Sequence, residues 1–167
     1  MWERADLRLA LGHWPWSLLA QQQPLPERIL TALPDAIIDG ALGGSGSPAS
    51  AFPPQVRAAY VEALRDPAHA HAICEEYHAA ATIDREHDRA DRRTRRWTTW
   101  PLLVLWGAQG PFDSWYADAG GPIALWQVWA SDMQGHAIEG GHSLPGQMPE
   151  QTADALRGFF GIANMGG

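Results

Sequence analysis

An α/β fold is expected, with a helical first hundred residues followed by an α/β remainder, and three observations point to it. The first hundred residues place apolar side chains at helical spacing, with Pro and Asp where helices would start. Pro101-Leu102-Leu103-Val104-Leu105-Trp106-Gly107 is then a continuous apolar run that stops at Gly. Such a run reads as a strand covered on both faces, as in a parallel sheet. Finally, Gly140-Gly141-His142-Ser143-Leu144-Pro145 sets a histidine on a loop between an expected strand and an expected amphipathic helix. The ends of strands are where open α/β sheets bind ligands.

In order along the chain, Glu3 to Leu11 alternates charge with Leu and Ala in a helical rhythm that Gly12 breaks. Short helices are expected near 15–21 and within 26–42, limited by Pro24 and Pro34. Gly43 to Pro48 is a loop. Pro54 to Arg65 forms an amphipathic helix with Val56, Ala59, Tyr60, Ala63 and Leu64 on one face. Asp66-Pro67 ends it and starts another, running through Ile73, Tyr77 and Ala81. Asp84 to Arg96 is almost all charge and reads as a solvated helix. Beyond the strand at 101–106, a helix is expected around Ile123 to Ala130 and a second short strand near His136 to Glu139. A last helix starts at Pro149 with Ala153, Leu156, Phe159 and Phe160 on its inner face. Two parallel strands make a poor sheet alone. The α/β part is therefore expected to be the C-terminal piece of a larger doubly wound domain, with residues 1–97 forming a helical region and 98–167 part of the core.

Composition bounds the function. A hydrophobic share of 46% with 19% charged residues fits a globular chain, and a net charge of −7 argues against a nucleic-acid surface. Nine Trp would suit an aromatic-lined pocket. The single Cys74 excludes an internal disulfide and suits a reducing compartment. No leader-like N-terminus or bilayer-length apolar run is seen, so a cytoplasmic location is expected.

Several residues could carry chemistry. A neutral imidazole at His142 can take a proton from water or a nucleophile, whereas the alternative is a loop histidine capping the next helix. No nucleophile elbow of the Gly-x-Ser-x-Gly or Gly-x-Asp-x-Gly kind is present. Ser45 comes near by letters, but no strand precedes it. Cys74 falls inside a helix. Asp113, after the first strand, stands where an acid orienting the histidine could lie, or is an exposed loop residue. His13 and Trp14 offer two ring N–H donors that would suit a small anion, or they belong to an aromatic core cluster. The Tyr77 hydroxyl could add a third donor, or be a satisfied core hydroxyl. His71, Cys74 and His78 share a helix face near Glu75, but match no compact zinc motif. No metal or other cofactor is expected.

Read together, several segments resemble the α/β-hydrolase family and, within it, the haloacetate (fluoroacetate) dehalogenases. They are Leu11-Gly12-His13-Trp14 with Leu19-Ala20-Gln21, Pro24-Leu25-Pro26-Glu27, Cys74-Glu75-Glu76-Tyr77, Asp84-x-Glu86-His87-Asp88, Leu105-Trp106-Gly107-Ala108, Trp129-Ala130-Ser131-Asp132-x-Gln134-Gly135 and Gly141-His142-x-Leu144-Pro145. The resemblance covers nearly the whole chain. It implies a helical cap followed by the last two βα units of an α/β-hydrolase sheet, the N-terminal half of that sheet being absent. In that family an Asp displaces the halide to form an ester, a His activates water to hydrolyse it, and arginines hold the substrate carboxylate. By resemblance, His142 is the general base, while His13, Trp14 and Tyr77 bind the departing halide of a small haloacid.

The resemblance also sets its own limits. The nucleophilic Asp, its arginines and the orienting Asp of the family fall upstream of Met1, so the chain by itself is expected to be inactive. A cap-loop Trp of the family corresponds to Ser45, which changes the pocket and leaves the substrate open. A second chain supplying the other half, a homo-oligomer, an epoxide hydrolase or esterase relative, and a non-catalytic remnant or binding module are the alternatives. Neither nucleic acid nor membrane is an expected partner.

Overall fold

A computed structural model describes residues 13–43 and 49–161. The helical rhythm expected over Glu3 to Leu11 lies outside them, as does most of the Gly43–Pro48 loop, Ser45 included. The described chain divides into two compact units, one ending at residue 96 and one beginning at residue 97.

The first unit is all-helical: α1 (Trp14–Leu19), α2 (Leu25–Ala32), α3 (Pro34–Gly43), α4 (Pro54–Arg65), α5 (Pro67–Ala81) and α6 (Ile83–Thr94), with a 3₁₀ turn at Ala49–Ala51 before α4. Proline sets most of the starts. Pro15, Pro26, Pro34, Pro54 and Pro67 occupy first turns, where a missing N–H costs no helical bond. Pro34 thereby divides the stretch expected within 26–42 into two helices. At the α4–α5 joint, the Asp66 carboxylate accepts the Ala68 N–H at 2.8 Å and caps α5.

The core of this unit joins Leu19, Leu30, Ile38, Leu42, Phe52, Val61, Leu64, Ala70 and Cys74. Burial of these side chains, at about 25 cal/mol per Å² of apolar surface, is what holds helices this short. The buried face of α4 is rotated from the expected one. Val61 and Leu64 point inward while Tyr60 is half exposed. The polar Arg57 lies one turn before Val61 on the same side of the helix. It lies toward α3, its Nε 2.6 Å from Asp39 Oδ1 and a terminal nitrogen 3.1 Å from Asp35 Oδ1. Helix α6 buries no residue, as its charge requires, and ends at Arg95 in the left-handed region (φ 53°).

The second unit contains β1 (Leu102–Gly107), α7 (Pro111–Trp115), α8 (Gly121–Trp126), β2 (Met133–Ile138), α9 (Leu144–Gln147) and α10 (Pro149–Phe159), with a 3₁₀ turn at Ala117–Ala119. The strands pair in parallel, from Leu102 opposite Met133 to Gly107 opposite Ile138. Leu102 N–H donates to the Asp132 carbonyl at 3.0 Å and Ala108 N–H to the Ile138 carbonyl at 2.9 Å, bracketing the ladder. Helix α8 is shorter than expected because the chain turns at Gln127, and β2 begins earlier than expected.

Two expectations of burial are corrected. Residues 102–106 of β1 are only partly covered, and Gly107 alone is buried. A paired strand covers only an edge, and the faces of a parallel strand need packed helices to bury them. Likewise α10 buries no residue, and Leu156 and Phe160 are exposed. The small core here is Tyr116, Ala130, Ile138 and Leu144. Among the described residues, no helix is long and apolar enough to cross a membrane.

Candidate active site

His142 lies on the short loop between β2 and α9, four residues after Ile138. The loop is built on glycine. A methyl group placed on Gly107 would sit 2.1 Å from the Gly141 carbonyl oxygen and 2.5 Å from that of Gly140. The turn after β1 thus packs backbone to backbone against the His142 loop. Gln109 N–H donates to the Gly140 carbonyl at 3.0 Å. On the other side, Gly141 N–H donates to the Gln147 side-chain oxygen at 2.7 Å. His142 is therefore carried on a segment fixed from both strand ends and from α9.

The ring itself lies beside Phe112 of α7, with centroids 5.5 Å apart and planes tilted by 48°. Phe112 in turn stacks on the buried Tyr116 at 6.1 Å. His142 is exposed on one side, and its partial burial beside Phe112 holds its pKa below the ordinary histidine value of 6.5. The neutral form, the one able to accept a proton, is thereby favoured at neutral pH. The sign for stability follows: a histidine with a lowered folded pKa contributes stability above about pH 6.5, lost as pH falls through its folded pKa. An NMR titration should place the His142 midpoint below 6.5. Phe112→Ala should raise it toward that value, and an unchanged midpoint would remove the desolvation explanation.

Asp113, read from sequence either as an acid orienting the histidine or as an exposed loop residue, is held by β1. Its Oδ1 accepts the Trp106 indole N–H at 2.8 Å. It sits next to Phe112 in sequence, and this bond ties it to β1. Trp106 belongs to the apolar strand run, so its polar end was not legible as a partner for Asp113.

In the helical unit, His13 is the residue before α1 and is buried. Its ring lies 6.1 Å from Trp16, and Trp16 meets Tyr77 of α5 edge-on at 5.2 Å. Trp16, rather than Trp14, thus links the expected residues. Trp14 faces α3, where a methyl group on Gly40 would lie 3.5 Å from its ring. The helical repeat explains the difference: positions 14 and 16 fall on different faces. Burial, with Glu76 adding to it, pushes the Tyr77 pKa above its ordinary value, so the hydroxyl keeps its proton and can donate.

Cys74 and its neighbours have a different character. Cys74 is 2% exposed, and burial, with the charges of Glu27 and Glu75, pushes its thiol up to about 11. The thiolate needed for a nucleophile or metal ligand is therefore scarce at neutral pH. His71 Nδ1 lies 3.0 Å from the Gln23 amide nitrogen and 3.4 Å from Glu27 Oε1. No group of three His, Cys, Asp or Glu among the described residues could hold a metal ion. A thiol reagent such as DTNB should label Cys74 at neutral pH only as fast as the helical unit opens. Rapid labelling of the folded chain would contradict this burial.

A parallel βα core carrying a histidine at a strand end, with a helical unit before it, is the architecture of part of an α/β hydrolase. Comparison with known proteins agrees with an α/β-hydrolase fold. The chain is 34% identical over 167 residues to a fluoroacetate dehalogenase from Burkholderia, covering 99% of this chain and 53% of that protein. A presumed epoxide hydrolase from Pseudomonas aeruginosa superposes with a TM-score of 0.85 at 36% identity, over 96% of this chain and 52% of that one. A presumed α/β hydrolase from Nostoc gives 0.84 at 36% identity, over 95% and 53%. The chain therefore spans about half the length of the relatives it matches. No family profile matches it.

Proposed function

We propose that this chain provides the general base and the leaving-group donors of a dehalogenase-type α/β hydrolase that removes halide from a small 2-haloacid. In this reading residues 1–97 are the cap region and 98–167 part of the hydrolase core. The observation that carries it is the likeness to a fluoroacetate dehalogenase across 99% of the chain. The neutral, loop-borne His142 supports it.

The chemistry proceeds in two steps. A carboxylate displaces halide from the α-carbon: a C–O bond forms, the carbon–halogen bond breaks, and the halide leaves with the electron pair. His142 then takes a proton from water as the water oxygen attacks the ester carbonyl, releasing the 2-hydroxyacid and restoring the carboxylate. The sequence presents no elbow for that carboxylate, so the other part of the hydrolase fold must supply it. His13, Trp14 and Tyr77 are assigned to the leaving halide. Trp16 supports the His13 and Tyr77 part of the assignment by packing against both, while Trp14, which faces α3, is assigned by resemblance alone. Donors sheltered from water suit fluoride, which is strongly hydrated and leaves reluctantly.

A second reading is favoured by the presumed epoxide hydrolase of similar structure: the same base would hydrolyse an ester formed by epoxide opening. Both readings are tested by replacing the matching part of the Burkholderia fluoroacetate dehalogenase with this chain. Halide release from fluoroacetate or chloroacetate is the expected result. A folded chimera that opens epoxides and releases no halide would favour the second reading. One that hydrolyses none of these substrates would favour a binding role.

A further inference from the structure

We infer that Gln147 is the positioning residue for His142, holding the loop that carries the imidazole through the Gly141 peptide. The contact is short: Gly141 N–H to Gln147 Oε1 is 2.7 Å. It fixes the amide orientation, because turning the group over would bring two N–H donors face to face.

The rest of the Gln147 side chain shows why the oxygen matters. Its Nε2 is buried and has no hydrogen-bond partner among the described residues. Burying an unpaired amide donor is unfavourable, and a methionine of similar length would fill the space without that penalty. What glutamine offers that methionine cannot is an acceptor for the Gly141 N–H. That N–H belongs to the Gly140–Gly141 peptide, one peptide before the one that joins Gly141 to His142, so holding its plane fixes the backbone from which His142 departs. The opposite side of the segment is already fixed by Gln109 N–H on the Gly140 carbonyl. Gly140 lets α9 approach closely enough for the contact, since a methyl group there would lie 2.8 Å from Met148 Cγ and 3.3 Å from Leu144 Cδ2. The backbone thus clamps one edge of the segment, and the side chain of Gln147 clamps the other.

The consequence for catalysis rests on His142 being the base, but the geometry is tested without any activity. Gly141 amide exchange and the His142 Cε1–H resonance are to be followed by NMR in the full 167-residue chain. Gln147→Met should speed Gly141 exchange by about tenfold and shift the His142 resonance, with little change in the thermal midpoint. Gln147→Glu keeps an acceptor oxygen at the same reach and should restore both readouts. If Gln147→Met does not fold, Gln147→Glu decides alone: a protected Gly141 amide supports the clamp. Unchanged exchange in Gln147→Met, or an unprotected Gly141 amide in a folded Gln147→Glu, overturns it.

Discussion

Gly107→Ala should destabilise the second unit by about 3 kcal/mol or more, because the added methyl meets backbone and not a movable side chain. The obstacles are the Gly141 carbonyl oxygen at 2.1 Å, the Gly140 carbonyl oxygen at 2.5 Å and the Gly141 carbonyl carbon at 2.7 Å. None can rotate away without displacing the loop that bears His142. Urea unfolding followed by tryptophan fluorescence measures the loss. Gly158→Ala is the control, since a methyl there meets nothing within 4 Å. Within exposed α10 it should stabilise by up to about 1 kcal/mol, as alanine replaces glycine in a helix. Equal stability of the two variants would show that the turn after β1 does not pack as described.

The contrast between these glycines shows what the sequence can and cannot disclose. Gly107 was legible as the end of an apolar strand, and His142 as a loop residue after the second strand, because both follow from local pattern. The α4 and α5 boundaries were legible for the same reason, through Pro54 and the Asp66-Pro67 pair. What sequence could not disclose is which side chains meet across elements. Arg57 of α4 pairs with Asp39 on α3, a contact 18 residues away. Trp16, which no sequence pattern singled out, packs beside Tyr77, and that contact depends on where α5 lies against α1. Gln147 carries no motif. Its role comes from an oxygen that reaches back six residues to Gly141. Coverage of an apolar helix face is likewise a property of neighbours, which is why Leu156 and Phe160 read as core yet stand exposed.

The second large effect concerns chemistry. In the chimera with the Burkholderia dehalogenase, His142→Asn should lower steady-state halide release by about 10²- to 10⁴-fold, the range for removing a general base. The wild-type rate should fall with acidity only as His142 becomes protonated. Because desolvation lowers its pKa, that fall should come below pH 6.5. Phe112→Ala should move the acid limb upward, in parallel with the NMR midpoint. A rate insensitive to both substitutions would remove His142 from the mechanism.

The covalent state of the His142→Asn chimera after incubation with chloroacetate is the most direct test. If His142 activates water against an ester, the first step proceeds and the second stalls. Mass spectrometry should then find one substrate-derived ester on each nucleophilic carboxylate, with halide released in a single burst of equal amount. Continued turnover with no ester accumulating would contradict the assignment of His142 as the base.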